Sequence, residues 1–178
     1  MTEGPEHGRT ETASGGSNIP GSSRFQDVVI RRLAGDDEAR ACATIMATSE
    51  PWITLLRDYD SSLATVSDPN RETYVAVDSS GVVGFVILNM QGPFIGYIQS
   101  IAARADRRGD GLGSRLIAFA EERILRETPN VFLCVSSFNP RARALYERLG
   151  YETVGELKDF VVSGHSEWLL RKTVGPLR

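Results

Sequence analysis

Cysteine is scarce in this chain, which has 178 residues and contains only Cys42 and Cys134. One lies in a predicted helix and the other in an apolar predicted strand, so they do not suggest the disulfide framework of a small secreted domain. The chain also lacks the run of about 20 apolar residues that a membrane-spanning helix requires. Its amino-terminal segment contains no apolar stretch typical of a secretory signal. These absences favour a cytoplasmic protein that has no membrane partner.

An excess of basic charge is missing as well. Lys and Arg together number 20 against 23 Asp and Glu, the net charge is −3, and the basic residues are dispersed among acids. A nucleic-acid-binding surface needs clustered positive charge, so we expect no nucleic-acid partner. Residues 1–24 are mostly small and polar and predict a disordered tail. Residues 25–178 contain enough apolar residues for a single domain.

Glycine is concentrated in the most informative segment, Arg108–Ser114, where every second residue from 109 to 113 is glycine. This segment lies between a predicted strand, 94–103, and a predicted amphipathic helix, 112–128. A glycine-rich turn that leads into a helix leaves backbone N–H groups unpaired at the positive end of the helix dipole. The segment therefore predicts a phosphate-binding site.

Two common nucleotide-binding motifs do not fit this turn. A P-loop requires a lysine after its glycines, and none is present here. The dinucleotide motif Gly-x-Gly-x-x-Gly places its third glycine at Ser114 when counted from Gly109, and at Leu116 when counted from Gly111. The spacing thus disfavours a nucleotide-binding regulator.

The turn resembles instead the acyl-CoA-binding motif Arg/Gln-x-x-Gly-x-Gly/Ala of the GNAT acetyltransferase superfamily, through Arg108, Gly111 and Gly113. A second motif of that superfamily, Asn-x-x-Ala-x-x-Leu-Tyr-x-x-x-Gly-Phe/Tyr, is matched at Asn139, Ala142, Leu145, Tyr146, Gly150 and Tyr151. Two motifs in the right order and spacing are hard to obtain by chance. With the flanking strands, the resemblance covers about residues 25–173.

The second motif also has a direct physical interpretation. Asn139 is a favourable N-cap, Pro140 suits the first helical position, and Gly150 can end the helix in a left-handed conformation. These residues predict a short helix over 140–149. Tyr146 lies on this helix, where its ring can pack against the core edge while its hydroxyl reaches a cleft.

The rest of the chain alternates between predicted strands and helices. Strands are predicted at 25–33, 73–78, 82–89, 94–103, 131–135, 152–158 and 167–173. Helices are predicted from a cap at Asp36/Asp37 to about residue 48, and at 51–64, 112–128 and 140–149. The expected fold class is mixed α/β (α+β), a GNAT-like acyltransferase fold. We expect a central mixed sheet of six to seven strands and about four helices, and the resemblance implies that the sheet is splayed in the middle.

The resemblance implies acetyl-CoA as co-substrate, an amine as acceptor, and no metal. The pantetheine arm of the cofactor would lie between the splayed strands, and its pyrophosphate would rest on the N–H groups of residues 109–114. The implied cofactor contacts are Ile101, Ala103, Arg108, Gly109, Gly111, Gly113, Ser114 and Asn139. Tyr146 would act as the general acid that protonates the departing thiolate.

Three arginines, Arg104, Arg107 and Arg108, cluster just before the glycines. Guanidinium groups bind phosphate well because their N–H donors match its geometry. We expect all three to add long-range attraction for the phosphates of the cofactor.

The general base is not evident from the sequence. Many relatives use a Glu on the fourth or fifth strand, but the positions aligned with it here are Ile95 and Cys134, and neither can act as that carboxylate. Glu50 or Asp159 could reach the cleft instead, or a chain of water molecules could carry the proton. A non-catalytic acyl-CoA-binding or sensing domain is the alternative that the missing carboxylate supports.

The acceptor is also left open, between a small-molecule amine and a protein or peptide amino group. Its pocket would be lined by residues 49–66 and by the loop 159–166. Within the first segment, Trp52 could form an apolar wall or could simply anchor its own helix. A homodimer is compatible with these observations.

Overall fold

The computed structural model describes Met1 and residues 27–177, so the predicted tail at residues 2–24 lies outside the described residues. In the described part the strands are β1 Val29–Arg32, β2 Glu72–Asp78, β3 Gly81–Asn89, β4 Tyr97–Ala103, β5 Asn130–Ser136, β6 Glu152–Lys158 and β7 Ser166–Thr173. The α-helices there are α1 Gly35–Ala47, α2 Tyr59–Val66, α3 Leu112–Leu125 and α4 Pro140–Arg148. A short 3₁₀ turn spans Ala105–Arg107.

All seven strands form one sheet in the order β1-β2-β3-β4-β5-β7-β6. Every neighbouring pair is antiparallel except β4 and β5, which are parallel. One hydrophobic core lies between the sheet and helices α3 and α4, and a second lies between the sheet and helices α1 and α2. The predicted mixed sheet and the predicted number of helices are therefore confirmed. Among the described helices, none has the length and apolar character needed to cross a bilayer.

Helix α3 packs on the centre of the sheet through an apolar stripe with four-residue spacing. The side chains on this stripe are all buried, as the spacing predicts: Leu112, Leu116, Ala120 and Ile124. Gly84 on β3 lies beneath them, and a Cβ atom there would lie 2.8 Å from the Ala102 carbonyl oxygen and 3.2 Å from both leucine side chains. The missing side chain of Gly84 lets the helix approach the sheet closely.

The predicted helix at 51–64 is wrong in its first half. Residues 51–56 form turns, and Leu56 has a φ angle of +55°, which a helix does not accommodate. Helix α2 begins only at Tyr59, because the carboxylate of Asp58 accepts a hydrogen bond from the Ser61 N–H at 2.8 Å and caps the helix there.

Two other element boundaries also differ from the prediction. Helix α1 is not capped by Asp36 or Asp37, which lie inside its first turn. Glu38 stabilises the start of the helix instead, because its carboxylate accepts a hydrogen bond from the Ala34 N–H at 2.8 Å. Strand β4 begins at Tyr97, later than the apolar pattern from residue 94 suggests, because residues 91–96 form a bent loop.

Candidate active site

A cleft opens in the sheet where β4 and β5 separate. The two strands pair only through Tyr97 with Phe132 and Ile98 with Leu133. Beyond these pairs they diverge, and a cavity of about 790 Å³ lies between and above them. Gly96 holds the closed end of the cleft, where its carbonyl accepts the Phe132 N–H at 2.9 Å. The splay that the family resemblance implies is thus present at this point of the sheet.

Backbone groups of β4 face the open side of the cleft. The Arg104 N–H donates to the Val83 carbonyl on β3 at 2.8 Å. Because successive residues of a strand direct their N–H and C=O groups to opposite sides, Ala103 and Ile101 direct theirs away from β3. Both residues line the cleft. The Ala103 N–H and the N–H and carbonyl of Ile101 are available there to a ligand that takes the place of a strand, while the Ala103 carbonyl is contacted by Arg108 at 3.4 Å.

The glycine turn lies at the start of helix α3 and presents unpaired N–H groups. Gly109 and Gly111 have φ angles of +88° and +86°, in the left-handed region that favours glycine. Within the described residues, no hydrogen bond is donated by the backbone N–H groups of residues 109–114, a range that includes Ser114. A Cβ added to Gly109, Gly111 or Gly113 would meet no heavy atom within 4 Å. This open cradle of donors fits a phosphate or pyrophosphate group.

The expectation that three arginines attract phosphate is wrong for two of them. The Arg107 guanidinium forms an ion pair with Asp78, and Arg104 forms one with Asp106 at 2.7 Å. These carboxylates already balance the two positive charges. Among the described residues, no carboxylate pairs with Arg108, which lines the cleft.

Arg108 also joins two walls of the cleft. Its terminal nitrogen donates to the Ser49 hydroxyl at 2.8 Å, and its Nε approaches the Ala103 carbonyl oxygen at 3.4 Å. Ser49 lies two residues after the end of helix α1 and is buried. The arginine therefore connects the end of β4 to the segment after α1.

Asn139 and Tyr146 line the cleft from helix α4. The Asn139 side chain accepts the Ala142 N–H at 3.2 Å, so it caps the helix as the sequence predicts. The ring of Tyr146 packs edge-on against the ring of Tyr151, with centroids 5.7 Å apart. Burial raises the pKa of Tyr146 to about 12. The raised pKa keeps the Tyr146 hydroxyl protonated at neutral pH, and this hydroxyl has no hydrogen-bond partner among the described residues.

Glu167, which was not among the residues predicted from the sequence, is the most buried carboxylate of the cleft. Glu167 lies on β7, is 5% exposed, and accepts a hydrogen bond from the Ser136 hydroxyl at 2.6 Å. Burial raises the pKa of Glu167, although the bond from Ser136 and the proximity of His165 act in the opposite direction. In the sequence, an acidic residue next to the apolar run Trp168–Leu170 is only a weak indication of a site residue. The alternation of side chains along a strand does not tell which face of the strand lines a cleft.

The two carboxylates considered from the sequence have other surroundings. Glu50 lines the cleft but is exposed, and its carboxylate accepts the Thr54 N–H at 3.3 Å. Asp159 does not line the cleft. It accepts the Gly164 N–H at 2.6 Å and closes the loop between β6 and β7. Of these two, only Glu50 can reach a ligand in the cleft.

Ile95 and Cys134, which align with the positions where many relatives have a Glu, lie in different parts of the structure. Ile95 is exposed in the loop before β4, so it does not occupy a position on the fourth strand. Cys134 does lie on β5 and lines the cleft. Burial raises the pKa of its thiol, which keeps the sulfur protonated and weakly nucleophilic.

No cluster of three or more His, Cys, Asp or Glu side chains suited to a metal ion occurs in the described part of the chain.

Comparison with known proteins gives a consistent family. Residues 37–151 match the profile of the Acetyltransferase (GNAT) family. The chain is 30% identical over 88 residues to a blasticidin-S acetyltransferase of Streptomyces morookaense, an alignment that covers 49% of this chain and 64% of that protein. It is 31% identical over 99 residues to an aminoalkylphosphonate N-acetyltransferase of Salmonella typhimurium, covering 52% and 64%. The chain therefore spans just under two thirds of the length of these two relatives.

A solved structure of an aminoglycoside 6'-N-acetyltransferase complexed with coenzyme A has the same fold. Its TM-score is 0.65 at 19% identity, and the superposition covers 84% of this chain and 99% of that one. At this identity the likeness concerns the fold alone.

Proposed function

Because the chain belongs to the GNAT acetyltransferase family, we propose that it transfers the acetyl group of acetyl-CoA to a primary amine by direct attack. The observation that carries this proposal is one cleft that combines a buried carboxylate, Glu167, with a protonated phenol, Tyr146. The similar proteins named above act, by their names, on compounds that carry amino groups. An amine acceptor is therefore the natural class for this chain.

We assign the cofactor contacts to backbone groups in the open half of the cleft. The N–H groups of residues 109–114, which have no partner among the described residues, would bind the pyrophosphate. The backbone of Ile101 and Ala103 would pair with the amides of the pantetheine arm. Arg108 would add a positive charge and Asn139 a polar contact on the opposite wall. The bound cofactor supplies an activated thioester carbonyl to this site.

Glu167 is our candidate for the general base. An ammonium group has to lose a proton before its nitrogen can attack a carbonyl carbon, and a carboxylate with a raised pKa is a better proton acceptor than an exposed one. The hydrogen bond from Ser136 holds one carboxylate oxygen and leaves the other for the amine or for a bridging water molecule. This role replaces the carboxylate that is missing at Ile95 and Cys134.

Tyr146 is our candidate for the general acid. A thiolate is a weaker base than a phenolate whose acid has a pKa of about 12, so outright proton transfer from Tyr146 is uphill. Its hydroxyl can still stabilise the departing sulfur by donating a hydrogen bond as negative charge develops there. Burial strengthens that bond because water does not compete for it.

The sensor alternative depended on the absence of a carboxylate at the positions of Ile95 and Cys134. Because Glu167 supplies a carboxylate to the cleft, that absence no longer favours a non-catalytic domain. Such a sensor remains an outcome of the tests below. The cytoplasmic location, the single domain over 25–178 and a homodimer stay predictions.

The first experiment is a calorimetric titration with acetyl-CoA, followed by a thiol-release assay over a panel of amines. Glu167→Gln should lower kcat by at least about 100-fold because it removes the proton acceptor. Tyr146→Phe should lower kcat by a similar factor, about 100-fold, because it removes the hydrogen bond to the departing sulfur. Both variants should bind acetyl-CoA as the parent protein does. Glu156→Gln, an exposed carboxylate on β6, is the matched control.

Two results would contradict this assignment. An unchanged kcat in Glu167→Gln would remove the base, and an equal loss of affinity and turnover in Tyr146→Phe would make that residue a binding group. Binding of acetyl-CoA without thiol release from any amine would favour the sensor.

A further inference from the structure

Large apolar side chains stand exposed at the mouth of the cleft. Phe94, Phe160 and Val161 are 49%, 61% and 38% exposed, and all three line the cavity. They come from two loops that are far apart in sequence, 90–96 and 159–165. Single exposed apolar residues are common on protein surfaces, but a group that converges on one concave site is typical of a ligand pocket.

The apolar surface continues from this mouth into the interior. Trp52 and Leu55 contribute from the turns after α1, and Leu157 and Leu169 contribute from β6 and β7. The ring of Phe94 is held edge-on against Phe132, with centroids 5.1 Å apart. A bulky apolar group would therefore meet apolar side chains from several segments, one of which is already held in place.

The charges in the cleft limit the number of cationic groups that an acceptor can carry. Among the described residues that line it, the charged ones are Glu50, Arg57, Arg71, Arg108 and Glu167. Arg71 is paired with Asp68 at 3.8 Å, so with Arg108 given to the cofactor the remaining charged groups are Arg57, Glu50 and Glu167. Only Glu167 is buried. A polycation would bring several ammonium groups to a site that has one buried carboxylate to receive them.

Resting on the acetyltransferase activity proposed above, we infer that the acceptor is a small monoamine that carries an aromatic or similarly bulky apolar group. Its single amino group lies at Glu167, and its apolar body packs between Phe94 and Phe160. Such a ligand matches both features of the cleft: its apolar group fits the apolar mouth, and its single positive charge fits the single buried carboxylate.

The test compares three kinds of acceptor at saturating acetyl-CoA. The probes are 2-phenylethylamine, the polycations spermidine and kanamycin, and a short peptide with a free amino terminus. We expect kcat/KM for 2-phenylethylamine to exceed that of each other probe by at least tenfold. Phe94→Ala and Phe160→Ala should each raise the KM for this amine at least fivefold and leave the affinity for acetyl-CoA unchanged. Val154→Ala, at an apolar position on β6 that is 57% exposed but lies outside the cleft, is the matched control.

The outcomes separate this inference from the proposed function. Faster release with spermidine, kanamycin or the peptide overturns the acceptor class and keeps the acetyltransferase. Acetyl-CoA binding with no release from 2-phenylethylamine, or an unchanged KM in both phenylalanine variants, also overturns the acceptor class. A protein that does not bind acetyl-CoA at all overturns both proposals.

Discussion

Two glycines at the start of α3, Gly111 and Gly113, should respond in opposite ways to the same added methyl group. Gly111 is the N-cap of the helix and has φ +86° and ψ 0°, a left-handed conformation. Gly113 lies inside the helix and has no left-handed φ angle. A Cβ atom at either position would meet no heavy atom within 4 Å, so steric contact within the protein does not distinguish them. Only the backbone conformation differs.

The free energies follow from that difference. In Gly111→Ala, the left-handed conformation costs about 1–2 kcal/mol for a residue with a Cβ atom. The lower entropy of the unfolded chain offsets about 0.4–1 kcal/mol of this cost. In Gly113→Ala, the helix should gain about 0.5–1 kcal/mol. For a domain of this size, 1 kcal/mol corresponds to about 2–4 °C in Tm, so we expect Tm to fall for Gly111→Ala and to rise for Gly113→Ala.

Cofactor affinity adds a second readout to this pair. A residue forced out of the left-handed conformation at position 111 would rotate the neighbouring N–H groups, so Gly111→Ala should weaken acetyl-CoA binding at least tenfold. Gly113→Ala should change it by less than about twofold, because the family motif accepts Ala at that position. Thermal unfolding and calorimetric titration measure the two effects. Shifts of Tm in the same direction, or unchanged affinity in Gly111→Ala, would refute the reasoning.

Three further predictions concern packing and pH. Leu116→Ala, at a fully buried position, should lower the free energy of unfolding by about 3–5 kcal/mol in urea denaturation, and a loss under 1 kcal/mol would contradict the packing. Burial opposes ionisation of Glu72, but bonds from Arg123 and Tyr74 outweigh it and lower its pKa. The ionised Glu72 side chain thus stabilises the fold at pH values above its usual pKa of 4.5, and this stabilisation is lost as the pH falls through the lower pKa of the folded state. Glu72→Gln should therefore destabilise the protein at neutral pH and much less in strong acid. Since the pKa of Glu167 is raised above 4.5, kcat/KM should rise with pH through that higher value, and the rise should disappear in Glu167→Gln.

Much of the architecture is determined by short-range sequence signals. The cap and end of α4 depend on Asn139, Pro140 and Gly150, which act within one helix, and the structure confirms that helix. The four-residue stripe of α3 and the glycine turn are equally local. The mixed sheet and the number of helices also followed from local patterns of apolar and turn-forming residues. The turns before α2 were missed because the cap at Asp58 competes with an apolar pattern that favours an earlier start.

The composition of the cleft was decided by tertiary structure. Glu167 meets Ser136 across 31 positions of sequence, and Arg107 meets Asp78 across 29. Neither contact produces a periodic pattern, because it depends on which strands become neighbours and on which face each side chain lies. Sequence alone therefore predicted a phosphate turn and a helix that carries a tyrosine. Which acid is buried in the same cleft as that tyrosine, and which arginines of the described residues remain without a carboxylate partner, depended on the packing of the whole sheet.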